Sequence, residues 1–369
     1  NGLRLVNSFG FFVAIAFVAS GFVLYAELKR KESLGEFTPT EESMVIGAPA
    51  SLSELFTSFF FGFLFGYKII GAFTIADALN NTQAFILSLQ GNMGAGILVG
   101  AILAYLKWKE KDKEKLAKPE TRKLLLWPHD RVGDIVLQAA LWGFLGAKIF
   151  HNLENLDELM LDPWGSLISF SGLTFYGGLI LATIAIIVFI RKYNMRVIHF
   201  ADAMAPTMLF AYAAGRIGCH ISGDGDWGIP NLNPKPFTWL PDWFWSYQYP
   251  HNVVNAGVPI PGCVGNYCNQ LPEGVYPTTF YEVIIMFILF LIVWMFRKRI
   301  TQPGIITGIY FIFAGGERFF IEKIRVNNKY TFLPFQPTQA ELISVILIIL
   351  GIVFLVKSKS WFPKNIQKS

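Results

Sequence analysis

Hydrophobic residues in this chain form long runs separated by polar segments. About nine runs are long enough to cross a lipid bilayer as helices, which takes about 20 residues each. They centre on residues 9–24, 55–73, 93–106, 132–150, 173–190, 200–219, 279–296, 305–319 and 342–356. The third run is short and rich in glycine. The pattern predicts an all-α polytopic membrane protein of about nine transmembrane helices, forming a single integral-membrane domain over residues 1–369.

The polar segments alternate in basic charge. Lys and Arg residues follow every second run, at 29–31, 107–123, 191–192, 297–299 and 357–359. The intervening segments are poor in them, and membrane proteins accumulate Lys and Arg on the cytoplasmic side. The alternation therefore predicts that the N-terminus and the long loop 220–277 lie outside and that the C-terminus lies inside.

Composition supports the same class of protein. Hydrophobic residues make up 53% of the chain and charged residues only 15%, which is unusual for a soluble domain of 369 residues. The basic segments beside the apolar runs account for the net charge of +5, so no nucleic-acid-binding surface is indicated. Basic residues follow the first run instead of preceding it. We therefore interpret this run as a retained helix and not as a signal peptide.

The outer loop 220–277 is rich in aromatic residues such as Trp239 and Trp243. These side chains favour the headgroup layer, so the loop is either an arm that lies on the membrane or a small packed loop. Cys263 and Cys268 lie in the same loop. A disulfide is favoured over a metal pair there, because no histidine has a suitable spacing.

The end of the sixth run carries Arg216 between Gly215 and Gly218, and the acids Asp224 and Asp226 follow. A charge at membrane depth costs several kcal/mol unless it reaches water, a counter-ion or a ligand. Arg216 is therefore either an arginine that extends to the headgroups or part of a functional site. The glycines and the acids around it favour the second interpretation.

The eighth run ends at the same outer surface with Arg318, Glu322 and Arg325. Their spacing of i, i+4 and i+7 places them on one face of a continuing helix. An exposed ion pair between Arg318 and Glu322 is the alternative, and such a pair stabilises by only a few tenths of a kcal/mol.

Two more runs begin at the outer surface with polar residues. Thr278 or Thr279 can cap the seventh helix, with Glu282 completing a capping box. The fifth run begins with Tyr176 and a glycine pair that allows close helix packing. Together with the arginines these residues gather at the headgroup level, where the available anion is a phospholipid phosphate that guanidinium groups bind well.

Four segments with these residues occur in order along the chain. They are Tyr176-Gly177-Gly178-Leu179, Gly215-Arg216-Ile217-Gly218-Cys219-His220-Ile221-Ser222-Gly223-Asp224, Tyr276-Pro277-Thr278-Thr279-Phe280-Tyr281-Glu282 and Arg318-x3-Glu322-x2-Arg325. The ordered set resembles the motifs of bacterial prolipoprotein diacylglyceryl transferases, which read H-G-G-L, G-R-x-G-N-F-x-N-G-E, H-P-x-Q-L-Y-E and R-x3-E-x2-R. Asp202 matches an acid at the start of the helix that carries the second motif.

The resemblance covers about residues 1–30 and 130–330. It implies a seven-span family core, to which the chain adds an inserted helix pair with a basic cytoplasmic loop at 38–125 and an enlarged periplasmic aromatic arm at 220–277. The chain departs from the motifs where Tyr176 replaces a histidine and where Cys219 and Ser222 replace asparagines.

The resemblance also implies an activity. It is the transfer of the diacylglyceryl group of phosphatidylglycerol to the lipobox cysteine thiol of a pre-lipoprotein signal peptide, which forms a thioether and releases glycerol 1-phosphate. Tyr176, Arg216, Arg318 and His220 are then the expected catalytic residues, with Tyr176 preferred to His220 as the base. The expected substrate-binding residues are Gly177, Gly178, Asp202, Gly218, Gly223, Asp224, Tyr281, Glu282, Glu322 and Arg325. No cofactor or metal is expected.

The family further implies a multi-pass protein of the bacterial inner membrane whose active site faces the periplasmic leaflet. The alternative function is a non-catalytic membrane protein that binds or transports anionic phospholipids with the same arginines. Lys68 and Lys148 are the only charges that suggest a path across the membrane, and no inverted repeat is evident, so transport is disfavoured.

Overall fold

The structure of the chain, a computed structural model, describes residues 8–75, 85–86, 88–168, 172–327, 330 and 336–362. The two chain ends, and with them the predicted positions of the termini, lie outside the described residues. Helices account for most of the described chain.

The helices and strands follow one another as the apolar runs predict, with several short elements between them. The helices are α1 (Ser8–Ser33), α2 (Leu52–Phe65), α3 (Met93–Lys113), α4 (Val132–Glu154), α5 (Leu156–Leu161), α6 (Pro163–Ile168), α7 (Phe175–Lys192), α8 (Val197–Ser222), α9 (Asp242–Trp245), α10 (Thr278–Phe296), α11 (Ile305–Glu322) and α12 (Gln339–Trp361). A π-helical turn (Gly66–Ile70) and a short α-helix (Gly71–Thr74) continue α2, and a 3-10 turn (Pro128–Arg131) precedes α4. The strands are β1 (Thr40–Ile46), β2 (Glu120–Leu126), β3 (Val258–Pro259) and β4 (Asn269–Gln270).

Within the described residues, 7 helices are long and apolar enough to cross a membrane. They are α1, α2 with its continuation, α4 with its 3-10 turn, α7, α8, α10 and α12. The other two predicted spans form the long helices α3 and α11, but charged residues make them less apolar. In α11 these are Glu317, Arg318 and Glu322. The chain is therefore a polytopic, mostly helical membrane protein, as the sequence predicts, and the described residues add two small two-stranded sheets.

The chain forms two compact units. The first contains Pro39–Trp127 and Leu141–Thr183, and the second contains Asn7–Thr38, Pro128–Ala140 and Ile184–Ser369 in their described parts. The residues that the sequence gathers around Arg216 belong to the second unit, whereas Tyr176 and its glycines belong to the first.

In the first unit, α2 and α3 pack through glycines. A side-chain Cβ on Gly62 would lie 2.9 Å from the Cα atom of Gly100, so only glycine permits this approach. The antiparallel strands β1 and β2 pair from Thr40 opposite Leu126 to Ile46 opposite Glu120. The segment that precedes the helix pair α2 and α3 is thus paired with the segment that follows it. The sequence pattern did not predict these strands, because several of their residues are charged.

Lys68 lies in the π-helical turn after α2. Its ammonium group donates hydrogen bonds to three backbone carbonyls, those of Phe85 at 3.0 Å, Ser88 at 2.5 Å and Gln90 at 2.7 Å. These contacts hold the ammonium group against the segment that leads from α2 to α3. They give Lys68 a structural use, which weakens the suggestion that it belongs to a transport path.

In the second unit, α8 runs through a bundle with α1, α10, α11 and α12. Asp202 near the start of α8 contacts Thr307 at the start of α11, so these two helices run in the same direction. Gly218 near the end of α8 packs against Phe12 at the start of α1, so α1 runs in the opposite direction. The helices α10 and α12 are also antiparallel to α11.

The core of this bundle is apolar and lies between α8, α10 and α11. Its buried members are Ala205, Leu209, Ala213, Met286, Phe290, Val293 and Ile306. Between helices in lipid, such contacts stabilise through close packing and not through removal of apolar surface from water. The stability of the bundle therefore depends on how closely the helix surfaces fit together. This packing fixes the positions of the end of α8, the start of α10 and the end of α11 relative to one another.

The loop between α8 and α10 folds back on itself and on the end of α11. Single β-bridges join Gly228 to Arg325 and Tyr247 to Val275, and Cys263 forms a disulfide with Cys268. A small core forms around Tyr249, Leu271 and Val275. The packed-loop alternative therefore describes this part of the loop. Trp239, by contrast, is 75% exposed.

Candidate active site

The last turns of α8 supply the first arginine of the site. Tyr212 and Arg216 stand four residues apart and so share one helix face, and Arg216 Nη2 donates to the Tyr212 hydroxyl at 3.2 Å. The helix ends at Ser222, and its C-cap residue Gly223 adopts the left-handed conformation with φ of 60°. This C-cap turns the chain so that Asp226 faces back toward Arg216.

Glu282 is the centre of the site. Its side chain is fully buried, and its carboxylate forms ion pairs with Arg216 Nε at 2.8 Å, Arg318 Nη1 at 3.3 Å and Arg325 Nη1 at 3.5 Å. The predicted capping box is therefore wrong. The N-cap of α10 is Pro277, without a side-chain bond, because Glu282 turns inward to the three guanidinium groups.

Asp226 is the second shared carboxylate. One of its oxygens contacts Arg216 Nη1 and the other contacts Arg325 Nη2. Burial would raise the pKa of Asp226, but the charges of Arg216 and Arg325 outweigh it and hold the pKa below its usual range. Thr278 Oγ1 donates to the Asp226 carbonyl at 2.8 Å and so fixes the backbone of the loop.

The end of α11 completes the cluster. Glu322 forms an ion pair with Arg318 Nη2 at 3.1 Å and accepts a hydrogen bond from Asn327 Nδ2 at 2.6 Å. Arg325 follows the last helical residue, and the Gly228 bridge holds its backbone. The predicted face of Arg318, Glu322 and Arg325 thus becomes a set of contacts, although only the first two lie on the helix.

We call these six charged residues the arginine cluster: Arg216, Arg318, Arg325, Asp226, Glu282 and Glu322. With three positive and three negative side chains the arginine cluster is neutral as a whole. All of the positive groups are arginines, which keep their charge and present planar donors. The fully buried carboxylates Glu282 and Glu322 depend most on their arginines, since removing one partner of a buried ion pair typically costs about 3–5 kcal/mol.

Two residues of the site, Tyr212 and Glu317, were not predicted from the sequence. Tyr212 connects Arg216 to Glu282, because its hydroxyl donates to Glu282 Oε1 at 3.2 Å. Glu317 is 7% exposed, and its Oε1 has no hydrogen-bond partner among the described residues. Both were detectable: Tyr212 by its i, i+4 spacing from Arg216, and Glu317 as a carboxyl inside an apolar run.

Asp202 does not join the arginine cluster. Its carboxylate accepts hydrogen bonds from the backbone N–H of Gly304 at 2.8 Å and of Thr307 at 2.9 Å, and from the Thr307 hydroxyl at 2.7 Å. Asp202 therefore caps the N-terminus of α11, where backbone donors lack partners within the helix. The 14 positions from Asp202 to Arg216 span about 21 Å along the helix axis.

His220 and Tyr281 lie beside the cluster in aromatic surroundings. His220 Nδ1 is 3.2 Å from the Tyr249 hydroxyl and 3.3 Å from Thr279 Oγ1. Tyr281 donates its hydroxyl proton to the carbonyl of Phe244 at 2.8 Å and so attaches the outer loop to α10. No described contact joins either side chain to an arginine of the cluster.

The predicted glycines serve the packing of the backbone. A Cβ on Gly218 would lie 3.2 Å from Phe12 Cβ, and Gly223 provides the left-handed cap of α8. In the first unit, a Cβ on Gly177 would lie 2.3 Å from Phe150 Cβ. A Cβ on Gly178 would lie 2.7 Å from the carbonyl oxygen of Gly143 in α4. These glycines position helices, and their predicted contact with substrate stays a prediction.

Tyr176 begins α7 in the first unit, and its side chain is 36% exposed. The described contacts within its unit include a ring contact with Phe175. Its predicted role as a base stays a prediction.

Asp224 lies on the loop after α8, where its Oδ1 accepts from the Asp226 N–H at 3.3 Å. Cys219, Asp224 and Asp226 are the only described residues whose ligand atoms are grouped closely enough for a metal ion. The guanidinium groups of Arg216 and Arg325 on Asp226 repel a cation there. The donor set is thus a poor fit for a metal.

The fold and the site together define a multi-pass helical membrane protein with a buried arginine–carboxylate cluster at one end of its bundle. A family model described as prolipoprotein diacylglyceryl transferase matches residues 89–357. The chain belongs to the prolipoprotein diacylglyceryl transferase family, and it is a transferase.

Proteins named phosphatidylglycerol–prolipoprotein diacylglyceryl transferase resemble the chain over most of their length. The protein of Leptospira interrogans is 26% identical over 319 residues, which cover 73% of this chain and 89% of the relative. The protein of Finegoldia magna is 28% identical over 286 residues, with 75% and 95% covered. The protein of Buchnera aphidicola is 29% identical over 226 residues, with 61% and 77% covered.

The family match contains the whole arginine cluster. It begins at residue 89, just before α3, so that α1, β1 and α2 lie outside it. The prediction that both α2 and α3 are additions to the family core therefore stays open.

Proposed function

We propose that the chain transfers the diacylglyceryl group of phosphatidylglycerol to the lipobox cysteine of a pre-lipoprotein, forming a thioether and releasing glycerol 1-phosphate. The observation that carries this proposal is the convergence of three arginines on two shared carboxylates in a member of this family. The names of the relatives support the same two substrates.

The arginines suit the phosphate of the lipid. In the transfer, the cysteine sulfur bonds to the glycerol carbon while the bond from that carbon to the phosphate oxygen breaks. The electron pair leaves with glycerol 1-phosphate, whose charge increases as it departs. Preorganised guanidinium groups such as those of Arg216 and Arg318 stabilise such a developing charge.

The thiol must lose its proton to attack, because the thiolate is the nucleophile. Tyr176 stays our first candidate for the base and His220 the second. For His220, the hydrogen-bonding distances to Tyr249 and Thr279 offer a route by which a proton can pass to neighbouring hydroxyls.

We also propose how the chain lies in the membrane. With α3 and α11 crossing as well, it has nine spans, its N-terminus outside and its C-terminus inside. The arginine cluster then lies in the periplasmic leaflet of a bacterial inner membrane, at the level of lipid headgroups. The polar residues of α11 support its assignment as a span, because they face the arginine cluster and not lipid.

The direct test is a transfer assay with purified protein, phosphatidylglycerol micelles and a peptide that contains a lipobox cysteine. Mass measurement of the peptide should show the gain of one diacylglyceryl group. A peptide with serine at that position and micelles of phosphatidylcholine are the controls, and neither should give a product.

A protein that binds phosphatidylglycerol but leaves the peptide mass unchanged under all conditions would contradict the proposed transfer. That result would favour the alternative, a non-catalytic protein that binds anionic phospholipids.

A further inference from the structure

Every arginine of the cluster already has carboxylate partners. Arg216 and Arg325 contact both Asp226 and Glu282, and Arg318 contacts Glu282 and Glu322. An incoming phosphate therefore meets a neutral site with occupied guanidinium groups. For the phosphate to gain strong contacts, one carboxylate has to give up its own.

The three carboxylates differ in their freedom to move. The side chains of Glu282 and Glu322 are 0% and 1% exposed, and both belong to helices. The Asp226 side chain is 35% exposed and lies on a loop next to Gly225, whose φ is 101°. Asp226 is therefore the member of the arginine cluster that can leave its partners with the least rearrangement.

The contacts of Asp226 also match those of a phosphate. Its two oxygens each engage a different guanidinium group, which is the arrangement that two oxygens of a phosphodiester adopt between arginines. Arg325, whose side chain is 7% exposed, has in addition an Nε donor without a hydrogen-bond partner among the described residues. A buried donor of this kind favours an additional acceptor oxygen.

We propose that Asp226 occupies the subsite of the lipid phosphate in the resting protein and that the phosphate displaces it, so that Asp226 determines the affinity for the lipid. This inference rests on the proposed function. The backbone of Asp226 stays in place during the exchange, because Thr278 donates to the Asp226 carbonyl and the Gly228 N–H, two residues later, donates to the Tyr276 carbonyl. Only the side chain rotates.

The charges support this exchange. With Asp226 displaced, the three arginines face Glu282 and Glu322 and carry one net positive charge, which matches a phosphodiester of one negative charge. Glu317 is left out of this count because the described ion pairs include none to it. The product is a phosphate monoester with more negative charge. The return of Asp226 to Arg216 and Arg325 then favours product release.

The test is Asp226→Asn, which keeps the shape of the side chain and removes its charge. We expect the KM for phosphatidylglycerol in micelles, and the Kd for phosphatidylglycerol measured by native mass spectrometry, to fall roughly tenfold, since a competing charge-assisted contact is lost. Inhibition by glycerol 1-phosphate should strengthen by a similar factor. Asp242→Asn is the matched control, because Asp242 pairs with Lys235 on the same outer loop, is 88% exposed and should leave all three values unchanged.

An unchanged or raised KM and Kd in folded Asp226→Asn would overturn the proposal and make Asp226 a fixed counter-ion. If this variant does not fold, Asp226→Ser is measured in the same way, and a failure of both to fold also overturns the proposal. The proposed function fails separately, when the wild-type protein does not modify the peptide. The lipid Kd still tests the role of Asp226 in that case.

Discussion

Single residues explain how three arginines remain buried at one end of the bundle. Glu282 supplies a shared negative charge inside the cluster, and Asp226 and Glu322 supply one at either side. A charge in low dielectric needs such partners, and each lost partner leaves the others unpaired. Tyr212 adds a neutral connection between Arg216 and Glu282.

Arg216 uses three nitrogens for three different partners: Nε for Glu282, Nη1 for Asp226 and Nη2 for Tyr212. A lysine has one ammonium group and cannot hold these positions together. We expect Arg216→Lys to lower turnover at least tenfold, since the loss of one donor to a developing charge typically costs about 2.7–4 kcal/mol. The transfer assay measures this change.

The control for this substitution is Arg299→Lys, because Arg299 is exposed and distant in sequence from the cluster. Turnover of Arg216→Lys within about threefold of wild type, less than 1 kcal/mol in barrier, would remove the support for a phosphate clamp. An arginine that merely extends to the headgroups tolerates lysine, because only a positive group near the interface is required.

Glu36, between α1 and β1, makes the stability of the protein depend on pH. Burial would raise the pKa of Glu36, but the hydrogen bond with His199 and the charge of Lys31 lower it from 4.5 to about 2. A lowered folded pKa adds stability that is complete above about pH 4.5 and disappears as the pH falls toward about 2. We expect Glu36→Gln to unfold at lower temperature than wild type at pH 7, with the difference vanishing near pH 2.

Thermal unfolding in detergent at several pH values measures this dependence. Glu273→Gln is the control, since Glu273 is exposed on the outer loop. A difference between Glu36→Gln and wild type that is the same at pH 7 and near pH 2 would show that Glu36 does not act through its charge.

The sequence predicted the cluster where the signal was a charge in an apolar run. Arg216 meets that criterion, and helix periodicity places Arg318 and Glu322 on one face. Glu282 was expected at the site through the resemblance to the family motif. The approach of Asp226 to Arg325 depends on the turn of the loop after Gly223, which no periodicity encodes. Asp202 was expected at the site only through the resemblance, and its partners are backbone N–H groups, which a pattern of side chains does not reveal.

At the scale of helices, glycines set the distances between axes. In the first unit, α7 approaches α4 so closely that a Cβ on Gly177 would lie 2.5 Å from the carbonyl oxygen of Gly146. The glycine pair of the sequence predicted a close approach of this kind. The pattern of apolar residues was less informative about α3 and α11, because it could not tell which charged residues find partners inside the protein.

We expect Gly177→Ala to destabilise the protein by about 1–3 kcal/mol, because the added methyl group overfills the contact between α4 and α7. The unfolding temperature in detergent should fall. Gly133→Ala in α4 is the matched control, since a Cβ there has no neighbour within 4 Å. Equal unfolding temperatures for the two variants would contradict the role of Gly177 in packing.

At the scale of the whole molecule, the strands β1 and β2 make the helix pair a separable part of the chain. Thr40 and Leu126 face each other in the sheet, where Cα atoms of paired residues lie about 4.5–5.5 Å apart. We expect a protein in which an Asn-Gly turn replaces residues 40–126 to fold. Size-exclusion chromatography in detergent and circular dichroism check this.

Removal of α3 alone, residues 93–113, is the control for this excision. It exposes the glycine face of α2 and should give aggregated protein. If the larger excision also aggregates, α3 belongs to the family core, in agreement with a family match that begins at residue 89.

The helix α8 is attached to α11 near both of its ends, which limits how the two helices can move. Asp202 ties the start of this helix to the start of α11, and Arg216 ties its end, through Glu282, to Arg318 on the same partner. These two attachments lie about 21 Å apart along α8, and both oppose sliding of α8 along α11. Sliding by one turn would break both at once, so α8 and α11 keep a common register while the reaction proceeds. We therefore expect lipid exchange at the arginines to involve the loop after α8, which carries Asp226, and not a shift of α8 along α11.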